Sequence, residues 1–364
     1  MNTECVLVTG AGGLVGRDLV ARLAETGQAD RLVGLLHRRA PAACVRSDGE
    51  GTADVRWLPG DVTLPDLGLG PAHYRELQEE VTAVIHCAAL TTFSVSSAEA
   101  ERVNVGGTRH VLRLAEGAKR LRRFIHMSTV YVAGRRVGAV SEEELEHTAG
   151  FVNQYEASKY EAERLVRQSD VPWSVYRLGT LVGGEAGGRL SPQWSAVRRS
   201  ILLYFHGLLA MLPAASDATV DLLPAEVALP AAAHLFGSFT PGRTFHLCAG
   251  PAAVGVEDFL AITEVAISRA RPEWAARQIE RPALVNLTTY DLLGQTARGV
   301  GNQVFAQIHA SVRHFAPQLL YPKGFQTPNA AAALAGSGIA LPTFESYWPQ
   351  VVADCIAAEH KVVA

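Results

Sequence analysis

Through the first half of the chain, short Val/Ile/Leu runs alternate with longer stretches whose apolar residues recur three and four positions apart. The runs at 5–9, 31–36, 55–58, 83–87, 124–128 and 173–177 predict strands, and the periodic stretches at 14–26, 98–118 and 155–168 predict helices. Strand and helix in strict alternation predict an α/β fold, a doubly wound parallel sheet of the Rossmann type with helices on both faces.

Past Arg177 the pattern changes. A glycine-rich passage at 183–188 leads to a helical stretch containing Arg198 and Arg199 and then to an apolar run at 201–213. Residues 220–236 read as a strand and helix returning to the core, 243–247 as a short strand, and the remainder as mainly helical. The expected organisation is a nucleotide-binding Rossmann domain at 1–182, rejoined by 219–240. A smaller, mainly helical substrate lobe is expected from 183–218 and 241–364. The run 201–213 is too short to span a bilayer and is expected as a buried or pocket-lining helix, with an interfacial membrane helix as the alternative. No transmembrane segment is expected.

Charged residues make up 19% of the sequence and the net charge is -3, which gives no electrostatic reason to expect a nucleic-acid partner. The clusters Arg120, Arg122, Arg123 and Arg135, Arg136 read as solvated faces. Five cysteines are scattered without the spacing of a zinc site, so no metal is expected. Reduced thiols and the lack of a leader pattern at the N-terminus point to a cytoplasmic protein, monomeric or homodimeric.

The first strand runs into Thr9-Gly10-Ala11-Gly12-Gly13-Leu14-Val15-Gly16. Gly10 suits a tight turn, Gly13 a close approach of backbone to a pyrophosphate, and Gly16 close packing of helix on strand. Thr9, Leu14 and Val15 belong to the same expected cofactor site, with the helix N-terminus facing the phosphates. At the end of the second strand, His37-Arg38-Arg39 offers no carboxylate for a ribose 2′-hydroxyl, whereas Arg38 and Arg39 suit a 2′-phosphate. NADPH is therefore the expected cofactor. Asp61, beside Val62 after the third strand, is a candidate acceptor for the adenine amino group, or simply a turn former.

Tyr155 and Lys159 stand four apart on one helix face. An ammonium there lowers a phenol pKa from about 10 and fits the tyrosine for proton donation. Upstream, Ser128 and Thr129 end the fifth strand, where open parallel sheets place their crevice. Thr129 is the expected donor to a substrate oxygen, with Ser128 as the alternative.

These motifs, from Thr9 to Lys159, resemble an extended short-chain dehydrogenase/reductase in kind and order. The run Val84-Ile85-His86-Cys87-Ala88-Ala89 is similar to that family's segment beneath the nicotinamide, which implicates Ala88 and Ala89 in cofactor binding. Asn104-Val105-Gly106-Gly107-Thr108 resembles its Asn-x-x-Gly-Thr element, in which Asn104 would support an active-site water and the helix geometry; Lys159 would also hold the nicotinamide ribose. More narrowly, the stretches 60–69, 155–166 and 177–183 resemble the thioester-reductase and fatty-acyl-reductase branch, the male-sterility-like NAD-binding proteins.

That resemblance implies hydride transfer to the carbonyl of an apolar acyl thioester, giving an aldehyde and, with a second hydride, an alcohol. The thioester is expected on coenzyme A or on a separate carrier protein. The same residues also serve reduction of a free ketone or aldehyde. A nucleotide-sugar epimerase or dehydratase and a non-catalytic NADPH sensor stand as further readings.

Overall fold

The computed structural model describes residues 3–37, 53–183 and 192–358. Its central sheet has seven strands: β1 (Cys5–Thr9), β2 (Arg31–Leu36), β3 (Asp54–Pro59), β4 (Ala83–His86), β5 (Arg123–Thr129), β6 (Trp173–Leu178) and β7 (Arg243–Leu247). All pair in parallel, in the order β7-β6-β5-β4-β1-β2-β3. The order reverses between β1 and β4, and a crevice opens there at the carboxyl ends of the strands.

The helices are α1 (Leu14–Glu25), α2 (Pro71–Glu80), α3 (Gly107–Glu116), α4 (Gln154–Gln168), α5 (Pro192–Phe205), α6 (Ala225–Gly237), α7 (Val256–Ala270), α8 (Leu287–Gly299), α9 (Gln303–Arg313), α10 (Pro328–Leu334) and α11 (Phe344–Ala357). Every residue of β1 is buried because the sheet is covered on both faces. Val6 and Val8 pack with Leu19 and Leu23 of α1 and Phe236 of α6, whereas Leu7 packs with Leu77 of α2, Val111 of α3 and Val166 of α4. Each such side chain contributes about 1.5–3 kcal/mol on burial.

The predicted helix at 98–118 is interrupted. A short helix at Ser97–Ala100 gives way to a π-helical segment, Glu101–Gly106, before α3 begins. Such π-helical insertions are rare and are frequent at functional sites, and this one carries the buried Asn104.

The second lobe packs α5, α7 and α11 around Tyr204, Ile267, Trp274 and Trp348. The apolar run at 201–213 is not one helix: α5 ends at Phe205, Gly207 takes φ +72°, and Met211–Pro213 forms a strand parallel to Ala283–Val285. A positive φ is open to glycine and ends the helical repeat. Strand β7, assigned from sequence to the lobe, lies in the main sheet. It pairs with β6 from Arg243↔Ser174 to Leu247↔Leu178, and its Phe245 and Leu247 join the sheet core. Among the described residues no helix is long and apolar enough to cross a membrane.

Candidate active site

The turn after β1 is shaped by what its glycines lack. Gly10 has φ +65°, and a Cβ there would stand 2.7 Å from the Ala88 nitrogen, so the turn lies directly against the loop that follows β4. At Gly16 a Cβ would meet the Gly10 carbonyl oxygen at 2.5 Å, which fixes how closely α1 approaches the turn. Gly13 is less confined, since the nearest atom to its Cβ position is the Gly10 oxygen at 3.3 Å. It is the N-cap of α1, and no side chain caps the helix. The first-turn N–H groups are therefore left for an anion beside a glycine, and this cradle fits a dinucleotide pyrophosphate. Leu14 and Val15 turn their side chains away, against Leu181 and Leu229.

Thr9 has no exposed surface, contrary to the expectation that it touches the cofactor. Its Oγ1 accepts from the Ala88 N–H at 3.3 Å and lies 2.8 Å from His86 Nδ1. His86 Nε2 lies 2.9 Å from Thr108 Oγ1, which donates to the Asn104 carbonyl at 2.6 Å. One direction satisfies this chain: Thr9 donates to Nδ1, and Nε2–H donates to Thr108. His86 is then neutral, in keeping with burial and the Lys159 charge lowering its pKa to about 3. Thr9 thus aligns the loop carrying Ala88 and Ala89.

Asn104 is equally occupied. Its Oδ1 accepts from Leu90 N at 2.8 Å, and its Nδ2 donates to Leu90 O at 3.0 Å and to Ser158 Oγ at 2.8 Å. Ser158 Oγ in turn donates to the Tyr155 carbonyl at 2.9 Å. Asn104 therefore clamps the β4 loop onto α4.

Asp61 accepts from Thr63 N at 2.8 Å and lies 3.3 Å from His37 Nδ1. Burial opposes its ionisation, but the Thr63 hydrogen bonds and the charges of His37 and Arg102 hold its carboxyl below the usual range. The neighbouring Val62 packs on Gly107, and its carbonyl lies 2.9 Å from His110 Nδ1. Arg38 and Arg39 lie outside the described residues.

Ser128 and Thr129 point to opposite sides of β5, as consecutive strand residues must. Ser128 donates to Glu163 Oε2 at 2.7 Å, and Glu163 is bound by Arg177 at 2.7 Å and Arg167 at 3.0 Å, all beneath the sheet end. The Ser128 hydroxyl thus belongs to a buried ion network instead of the crevice. Thr129 caps the turn Val130–Ala133, where its Oγ1 accepts from Tyr131 N at 3.3 Å and its own proton is left to give.

Helix α4 opens with Asn153, whose side chain accepts from Glu156 N at 3.1 Å. Tyr155 lies in its first turn and meets the edge of Phe93, with ring centroids 5.7 Å apart. One turn on, Lys159 Nζ donates to Met127 O at 2.7 Å and to His126 Nε2 at 3.2 Å. Burial lowers the Lys159 pKa to about 8, against the opposing pull of Glu163 and Cys87. Burial and then the Lys159 charge hold His126 well below its ordinary value, and its Nδ1 is buried without a partner.

The histidines follow from register. Thr9 pairs across to His86 and His86 to His126, while Ser128 pairs to Arg177 and Arg177 to His246, so two polar rows cross the strand ends. Sequence reasoning passed over His86, His126, Glu163 and Phe93. The available signal was a histidine near the end of two apolar strand runs, which the parallel register places side by side.

An apolar cavity of about 150 Å³ opens between the Rossmann core and the lobe. Phe93, whose ring meets Tyr155, lines it together with Tyr131 and Thr180, and Tyr204, Leu212 and Phe259 belong to the lobe side. Tyr131 OH lies 2.6 Å from Thr180 Oγ1.

Among curated proteins, isonitrile lipopeptide synthase of Streptomyces coeruleorubidus is 28% identical over 214 residues, covering 54% of this chain and 14% of that protein. Adenylate-forming reductase Nps11 of Serpula lacrymans var. lacrymans is 29% identical over 261 residues, covering 62% of this chain and 23% of that one. The chain thus spans only a small part of these relatives. Among solved structures, the terminal R domain from the myxalamid PKS-NRPS biosynthetic pathway shares the fold at TM-score 0.75 and 22% identity, over 100% of this chain and 92% of that one. Residues 8–232, more than half of the sequence, match the NAD-binding family described as male sterility protein. Order of motifs, sheet topology and this match agree: the chain belongs to the male sterility protein family of NAD-binding proteins.

Proposed function

We propose that the protein is an NADPH-dependent reductase of acyl thioesters carried by coenzyme A or a carrier protein, releasing an aldehyde and, after a second round, an alcohol. What supports the reading is that Thr129 ends β5, that Lys159, one turn along α4 from Tyr155, donates to the β5 carbonyl of Met127, and that Tyr155 meets Phe93, which lines an apolar cavity. The names of relatives add to it, since a reductase and a lipopeptide synthase are among them.

The acyl chain enters the cavity and its thioester carbonyl rests between Thr129 and Tyr155. The turn at Gly10, Gly13 and Gly16 would hold the cofactor, which when bound would supply hydride to the carbonyl carbon. Thr129 keeps a proton to give because its oxygen already accepts from Tyr131 N, so it stabilises charge growing on the substrate oxygen. Tyr155 transfers its phenolic proton to that oxygen, a step worth about 10²–10⁴ in rate. Lys159, as an ammonium, keeps the phenol acidic and holds the ribose. The resulting hemithioacetal breaks its C–S bond, the thiol leaves with a proton, and the aldehyde remains. Arg38 and Arg39, with no acidic residue beside them, favour the 2′-phosphate of NADPH over NADH.

The test follows NADPH oxidation with octanoyl-pantetheine against a panel of free ketones and aldehydes. Oxidation by the thioester with release of free thiol is expected. Turnover of ketones alone would overturn the thioester reading, and product formation without net cofactor consumption would indicate sugar-type chemistry instead.

A further inference from the structure

Among the described residues in the cavity wall, Lys323 alone is basic and Asp221 alone is acidic. Asp221 is already engaged, accepting from Ala249 N and Gly250 N, both at 2.9 Å. Lys323 is engaged only in part. It opens the strand Lys323–Phe325, which runs parallel to Gly138–Val140 and so brings the lobe against the Rossmann core. Its Nζ donates to Gly134 O at 2.9 Å and to Gln318 Oε1 at 2.8 Å and stands 5.7 Å from the centroid of the Tyr321 ring, which leaves one of three ammonium protons without an oxygen acceptor.

Among the described residues no ion pair joins Lys323 to a carboxylate. The Glu156 carboxyl that interacts with it is reached through Gln318, whose amide nitrogen donates to Glu156 Oε1. Glu156 is fully buried and also accepts from Val152 N at 2.9 Å and Asn153 Nδ2 at 3.0 Å. Burial raises the Glu156 carboxyl to about 7 and lowers the Lys323 ammonium to about 8, so this buried place disfavours added charge of either sign. A neutral oxygen acceptor suits the remaining N–H better.

Gly134 closes the turn that Thr129 caps and that carries Tyr131, so Lys323 stands toward the reacting end of the cavity. Resting on the reading that this cavity holds the acyl chain of a thioester, we infer that Lys323 determines specificity by donating a hydrogen bond to an uncharged oxygen on the chain near the thioester. The substrates selected are acyl thioesters bearing a hydroxyl, keto or amide oxygen close to the reacting carbonyl. As the one cationic donor among the described residues of a mostly apolar wall, Lys323 separates oxygenated chains from plain ones.

The experiment compares octanoyl-pantetheine with 3-hydroxyoctanoyl-pantetheine, their binding being measured by calorimetry with NADP⁺ present so that no hydride is consumed. Wild type is expected to bind the hydroxylated chain about tenfold more tightly. Lys323→Met is expected to erase that preference while binding octanoyl-pantetheine as wild type does, and Lys323→Arg to keep part of it. Equal affinities in wild type overturn the inference whether or not Lys323→Met folds. Equal weakening of both thioesters by Lys323→Met also overturns it, because that is what a strut between lobe and core would produce. NADPH turnover of the same pair is read separately: discrimination in binding without any turnover would remove thioester reduction and leave the Lys323 assignment standing.

Discussion

Lys159 and His126 share a hydrogen bond of 3.2 Å, joining α4 to β5 below the crevice. Two basic groups in one buried place cannot both hold a proton, and the histidine yields. With burial lowering the Lys159 pKa to about 8, the ammonium is present below that pH and lost above it. The expected kcat/KM profile therefore declines as pH rises through about 8, approaching tenfold per pH unit. Lys159→Arg should remove that limb, and a wild-type profile flat to pH 10 would contradict the assignment. The sign for folding is opposite. The native lysine releases its proton near pH 8 and the unfolded one near its ordinary value of 10.5, so this group's contribution to stability rises with pH between those values.

Tyr155→Phe removes the phenolic proton and keeps the ring that meets Phe93. The expected result is a kcat lower by about 10²–10⁴ with unchanged NADPH affinity. Single-turnover absorbance and NADPH fluorescence titration together check it. A variant with wild-type kcat would move proton donation elsewhere.

The glycine turn separates two kinds of substitution. Gly16→Ala drives a Cβ to 2.5 Å from the Gly10 oxygen, and a loss of about 1–3 kcal/mol in urea unfolding is expected. Gly13→Ala meets its nearest atom only at 3.3 Å, so the fold should survive while NADPH binding weakens at least about tenfold. Equal behaviour of the two variants in both assays would refute the separation.

Glu163 is fully buried among Ser128, Arg167 and Arg177. Burial works against its ionisation, but the two arginines and the Ser128 hydroxyl lower its pKa overall. Glu163→Ala leaves Arg177 as an unpaired buried cation, for which about 3–5 kcal/mol of destabilisation is expected. Thermal unfolding checks this, and Ser128→Ala should cost far less, about 1 kcal/mol.

The strands and the glycine turn were readable because their signals are local: apolar runs of strand length, and glycines where strand becomes helix. The choice between Ser128 and Thr129 was not local. It turns on which side of β5 each hydroxyl takes, and that depends on where Glu163 lies, thirty-five positions away. Thr9 misled for the same reason, since its partner His86 comes from another strand. The π-helical insertion at Glu101–Gly106 leaves no mark in the spacing of apolar residues, yet it brings Asn104 onto Leu90 and Ser158. Strand β7 looked like part of the lobe because the chain reaches it only after the lobe has begun.

That late return has a consequence for biogenesis. When synthesis has produced residues 8–232, every group so far assigned to cofactor and catalysis exists, but β6 still lacks its outer neighbour. Its edge, with Val175 and Arg177 otherwise buried, offers unpaired N–H and C=O groups to any extended chain nearby. A fragment cut at that boundary would hold the residues proposed for hydride and proton transfer and still invite self-association, and a nascent chain is exposed to the same hazard until Arg243–Leu247 emerges and closes the edge.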